Sequence, residues 1–92
     1  YVSVRLADIL VLEADNNYTT IVTKEGKFLY SVVLRKMEQK LQSESFLRVH
    51  RSYVVNLSVV RGFAGNKLFV GDMQIPVSKQ YRETVFEKLK II

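Results

Sequence analysis

Cysteine and tryptophan are absent from these 92 residues, and proline and histidine occur once each. Without thiols there is no disulfide framework, no thiolate nucleophile and no cysteine-based metal site. A lone histidine, His50, leaves no spaced set of imidazoles and carboxylates for a metal, and no glycine-rich phosphate loop is present among the four glycines. Asp8, Glu13 and Asp15 lie close together in sequence, yet nothing pairs two of them as general acid and base. No apolar run approaches the roughly 18 residues needed to cross a bilayer, and the basic, apolar and small-residue succession of a signal peptide is missing. The expectation is a non-enzymatic chain with no cofactor and no metal, located in the cytoplasm.

What is present is an ordinary globular balance, 48% apolar and 25% charged, over a length that suits one domain spanning residues 1–92. A formal charge of +5 favours a polyanionic partner, because each neutralised phosphate releases condensed counterions. The charge is unevenly spread: from Ser45 to Gly71 there is no acidic residue, while Arg48, His50, Arg51, Arg61 and Lys67 all fall in that stretch.

Hydrophobic periodicity places the elements. Val2, Val4 and Leu6 alternate with Ser3 and Arg5, which predicts a half-buried strand, and the run Ile9 to Leu12 predicts a strand buried on both faces that stops at Asp15-Asn16-Asn17. Tyr18 to Thr23 and Phe28 to Tyr30, joined through Gly26, predict a hairpin. Ser31 is a candidate cap for a short amphipathic helix with Leu34, Met37 and Leu41 on one face and Arg35, Lys36 and Lys40 on the others. After a polar break at Gln42 to Glu44, Phe46 to Val55 is extended and mostly apolar. Val59 to Phe63 and Leu68 to Val70 predict further strands separated by Gly65-Asn66 and ended by Gly71-Asp72, and Pro76 confines Ile75 to Val77 to an edge or a strand end. Ser78 is the candidate cap of a last helix carrying Tyr81, Val85, Phe86 and Leu89. No strand–helix–strand alternation is visible, so the expected fold is mainly β and antiparallel, with two short helices. Phe28, Tyr30, Phe46, Phe63 and Phe69 on apolar strand faces, with Tyr53 and Tyr81, suit core packing better than stacking against bases.

Phe46 to Asn56 is the most informative segment. With Leu47, Val49 and Tyr53 inward, Arg48 and His50 share the outer face, and the parity breaks at Arg51 and Ser52, which predicts a turn that projects those two side chains. An arginine fork can pair with guanine O6 and N7, while Ser52 and His50 suit phosphate oxygens. Taken alone, the triplet favours the plainer reading, with Arg51 a solvated surface charge and His50 a packed or hydrogen-bonded histidine.

Taken together, Asp8 to Ala14, Asn17-Tyr18, Phe46 to Asn56 and Ile75 to Tyr81 make the whole chain resemble the LytTR family, the effector domain of many bacterial response regulators. The resemblance implies an elongated fold of antiparallel β-sheets, a β-β-β sandwich with two short α-helices, that inserts loop residues into successive major grooves in place of a recognition helix. By the same resemblance, Asn16, Asn17, Arg51 and Lys79 match base-contacting places. Arg35, Lys36, Arg48, His50, Ser52, Gln80 and Arg82 match places that grip the phosphate backbone. Either amide of the Asn16-Asn17 pair can serve adenine. Lys79 departs from the arginine frequent at its position and offers a point charge without the planar fork. The implied partners are double-stranded promoter DNA, a second copy on a neighbouring repeat, and an N-terminal receiver or sensory domain in a longer bacterial regulator; the alternatives are an RNA or single-strand binding β module and a protein interaction module.

Overall fold

The computed structural model describes residues 4–41 and 45–89. Among the described residues, eight strands form two antiparallel sheets. The larger has the order β3-β2-β1-β5-β4, built from β1 (Ile9–Asp15), β2 (Tyr18–Thr23), β3 (Gly26–Tyr30), β4 (Phe46–His50) and β5 (Tyr53–Asn56). The smaller has the order β6-β7-β8, built from β6 (Val60–Ala64), β7 (Lys67–Val70) and β8 (Met73–Pro76). Helix α1 (Leu34–Leu41) follows β3, and α2 (Lys79–Leu89) follows β8. The mainly β, antiparallel architecture with two short helices is therefore as expected, and the principal extents of 42 × 24 × 21 Å make it elongated.

The larger sheet is covered on both faces, which explains why its central strand β1 carries a continuous apolar run rather than a strict alternation. On one face Val11, Val22, Val49 and Val55 meet Leu68, Val70 and Ile75 of the smaller sheet together with Val77 and Val85 of the α2 region. On the other, Ile9, Leu12, Ile21 and Val54 receive Leu34 and Met37 of α1. Val11 and Leu12, like Val54 and Val55, are adjacent and all essentially inaccessible, so period two is obeyed with both parities apolar. A register shift between Ile9 and Val11 in the β1–β2 pairing lets Ile9 pack with Leu12.

Two buried polar groups fix this frame. Asn56, 2% exposed, donates from Nδ2 to the Ile9 carbonyl at 2.8 Å and accepts at Oδ1 from the Ser58 amide and hydroxyl. Thr19, fully buried, donates its hydroxyl to the Val32 carbonyl at 2.6 Å, tying the chain entering α1 to β2. Each satisfies backbone that would otherwise be desolvated without a partner, at a cost of about 1–3 kcal/mol.

Two local expectations are corrected. Val4 and Arg5 have no regular structure, and Leu6–Asp8 forms a 3-10 turn with Leu6 half exposed, where a first strand was expected; the remainder of that alternation, Val2 and Ser3, lies outside the described residues. Neighbouring strands already pair with β1 on both edges, so no open edge of this sheet's centre receives the segment. Helix α1 starts at Leu34, later than a cap at Ser31 would place it, with the Val33 carbonyl accepting from the amides of Lys36 and Met37. Gln42 to Glu44 also lies outside the described residues. Pro76 is the last residue of β8, an edge strand, so its missing N–H costs no ladder bond within the sheet.

Candidate nucleic-acid interface

The antiparallel register brings distant residues to one end of the larger sheet. β1 ends where β2 and β5 begin, since Asp15 pairs with Tyr18 and Glu13 with Tyr53, and β3 ends there because Tyr30 pairs with Thr19. The Asn16-Asn17 turn, the Arg51-Ser52 turn and the start of α1 therefore share this end. Two backbone bonds tie it together: the Ala14 amide donates to the Ser52 carbonyl at 2.8 Å, and the Ser78 amide to the Val49 carbonyl at 2.9 Å. The second docks the β8–α2 junction beside β4, adding Lys79 and Gln80. The three sequence-predicted places are thus assembled on one edge, the third being the first turn of α2, and the first turn of α1 joins them.

Electrostatics at this end runs against what helix stability alone would select. Neither helix has an acidic residue in its first turn, although carboxylates are favourable at the positive end of a helix dipole. Instead α1 carries exposed Arg35 and Lys36 there, and α2 carries Lys79 and Arg82. Cations at helix N-termini give up a few tenths of a kcal/mol each and concentrate positive potential where unpaired backbone N–H groups already favour an anion. Arg82 shows the same tension, since its Nε is buried without a hydrogen-bond partner among the described residues.

The predicted side chains are not equivalent. Arg51, Lys79, Gln80, Asn16, Asn17, Arg35 and Lys36 are exposed, while His50, Ser52, Arg48 and Arg82 are half-buried. Asn16 sits at φ 56°, in the left-handed region that asparagine tolerates, so its identity serves the backbone of the turn. His50 accepts at Nδ1 from the Ser52 amide at 3.0 Å, which places the neutral ring's proton on Nε2, and its ring lies 5.4 Å from that of Tyr53. The Tyr53 hydroxyl donates to Glu13 at 3.2 Å. Burial, then the Glu13 charge and this hydrogen bond, raise its pKa above the usual 10.0.

Arg48 differs most from the outward cation expected of it. Its Nη1 donates to the Glu38 carboxylate of α1 at 2.7 Å, its Nε to the His50 carbonyl at 2.7 Å, and its Nη2 to the Arg51 carbonyl. Every nitrogen of the fork is engaged within the chain. The ion pair itself, with side chains 18% and 41% exposed, is solvent-screened and adds about 0–1 kcal/mol to stability. Sequence reasoning missed Glu38, Asn56 and Thr19; their partners lie 10, 47 and 13 residues away, and no local pattern signals such pairs.

A rigid β frame presents amides, an arginine and the N-termini of both helices along one edge. The chain belongs to the LytTr DNA-binding domain family, which it matches over residues 1–90. It is 35% identical over 94 residues to the heme-containing CO-sensing transcriptional regulator RcoM 2 of Paraburkholderia xenovorans, an alignment covering 95% of this chain and 35% of the relative. It is 28% identical over 90 residues to the sensory transduction protein LytT of Bacillus subtilis, covering 91% and 37% of the two chains. The chain thus spans about a third of the length of these curated relatives. The fold matches that of a LytTr DNA-binding domain of a putative methyl-accepting/DNA response regulator from Bacillus cereus, with a TM-score of 0.84 at 24% identity over 98% of this chain and 88% of the other.

Proposed function

We propose that this chain binds double-stranded DNA sequence-specifically as the output domain of a bacterial transcription regulator, entering major grooves with strand-connecting segments. The observation that carries the reading is the convergence of two turns and two cation-bearing helix N-termini on one edge of the larger sheet. Arg51, Lys79 and the Asn16-Asn17 turn discriminate bases. Arg35, Lys36, His50 through Nε2, Ser52, Gln80 and Arg82 hold phosphates and set register without reading sequence. The domain performs no chemistry of its own; an N-terminal receiver or sensory domain supplies the signal in the cytoplasm. Two copies on neighbouring repeats one helical turn apart occupy the same side of the duplex.

Selection of bound duplexes from a random pool tests this reading. An enriched motif that outcompetes random duplex and single-stranded DNA is expected. Equal retention of every polyanion, heparin included, would leave only ionic attraction and end the proposal.

A further inference from the structure

We propose that Arg48 and Glu38 form a buttress that positions Arg51 for base reading, so that Arg48 acts on DNA through Arg51 and not by gripping phosphate. The inference rests on the reading of Arg51 as a base contact. The peptide group joining Arg51 to Ser52 is held at both of its ends: its carbonyl accepts from Arg48 Nη2, and its N–H donates to His50 Nδ1 at 3.0 Å. Arg48 Nε also holds the preceding carbonyl, that of His50, and the Ala14 amide holds the following one, that of Ser52. All three carbonyls of the turn are therefore bonded, and two of the three bonds come from one guanidinium. Fixing that peptide plane fixes the direction in which the exposed Arg51 side chain leaves the backbone, and productive recognition tolerates only about 0.5 Å of misplacement.

Glu38 completes the device from outside the turn. Its carboxylate, on the second turn of α1, holds Nη1 at 2.7 Å and so keeps the fork facing the turn instead of the solvent. The helix that bears the exposed phosphate candidates Arg35 and Lys36 is thereby connected to the base-reading turn through a single ion pair. An acidic residue on the DNA-facing side would ordinarily oppose binding, since it repels phosphate. Here the carboxylate supports specific binding.

The test uses the whole chain, with wild type, Arg51→Ala, Arg48→Ala and Glu38→Ala each titrated against a selected and a random duplex across salt. Arg51→Ala serves as the reference for loss of the base contact. Glu38→Ala is expected to weaken the selected duplex by about 3- to 10-fold, part of what a lost base contact costs, while random-duplex affinity holds or rises. Arg48→Ala is expected to lower the ratio of selected to random affinity with little change in salt slope. Tighter binding of the selected duplex by Glu38→Ala would overturn the buttress. Equal losses on both duplexes for Arg48→Ala, with the slope reduced by about one, would instead make Arg48 a phosphate contact. Amide hydrogen exchange at Ser52 and Ala14, whose N–H groups bond within and to the turn, in free Glu38→Ala separates the two levels of inference. Faster exchange than in wild type is expected even if Arg51 proves not to read bases, and unchanged exchange would refute the buttress irrespective of DNA.

Discussion

The chain contains two connections of the same length with opposite construction. Arg51-Ser52 joins β4 to β5 between the paired residues His50 and Tyr53, and Gly65-Asn66 joins β6 to β7 between Ala64 and Lys67. Gly65 and Asn66 both have positive φ, 58° and 66°, the backbone that matches the twist of a hairpin, and a glycine and an asparagine adopt it at least cost. Arg51 and Ser52 include no residue with positive φ. Their turn is held by side chains and a neighbouring strand: Arg48, His50 and the Ala14 amide. A connection that only reverses the chain can be specified by the two residues within it. A connection that must present particular side chains gives up that choice of residues, and its geometry is then supplied from outside.

The strongest way to break this comparison is to exchange the chemistry. Replacing Arg51-Ser52 by Asn-Gly is expected to keep the β4–β5 hairpin, with thermal stability unchanged or higher, and to reduce selected-duplex affinity about 100-fold, to near the random level. Melting by circular dichroism and duplex titration check the two halves, and retained specificity would remove the turn from recognition. The converse change, Gly65→Ala, meets no atom within 4 Å of the added Cβ at φ +58°. Its cost is thus purely conformational, about 1–2 kcal/mol of stability by urea unfolding, with the ratio of selected to random affinity unaltered.

Asn16 sharpens the contrast, because it combines positive φ with a place on the basic edge. Asn16→Gly is expected to preserve stability within about 0.5 kcal/mol while removing any amide contact, so a changed selected motif assigns that base to Asn16. An unchanged motif, with a change in Asn17→Ala, assigns it to Asn17. The smallest expected effect concerns pH. The Tyr53 pKa is raised in the folded chain above its usual 10.0, so the folded state retains this proton more tightly than the unfolded one. That contribution to stability is complete below about pH 10 and is lost as pH rises through the folded value. Tyr53→Phe should therefore show a shallower decline above pH 10 than wild type in paired melts, and parallel declines would contradict the assignment.

Sequence legibility follows the same division between local and distant causes. The hairpins at Gly26, Gly65-Asn66 and Gly71-Asp72, the edge position of Pro76 and the inward face of α1 are set by neighbours within a few residues, and each was predictable. The break of parity at Arg51 revealed the turn for the same reason. Phe86 of α2 and Tyr30 of β3, both expected to pack inward, are instead exposed, because periodicity does not say which elements cover a face. The expected first strand is absent over Val4 to Leu6, because alternation over so short a segment says nothing about whether a partner strand is free. Arg48 was expected among outward cations because alternation gives the face of a residue, whereas the inward turn of its fork depends on Glu38 from another element. Grouping the three places needed the strand order, which no motif spells out.

The most direct test of the central claim is a titration of the isotope-labelled chain with its selected duplex, followed residue by residue in amide spectra. The largest shifts are expected at Asn16, Asn17, Arg51, Ser52, Lys79 and Gln80, with the opposite end of the larger sheet, at Lys24, Lys27 and Ser58, nearly silent. Comparable shifts at the lysines of both ends, or a maximum around Lys24 and Lys27, would contradict it.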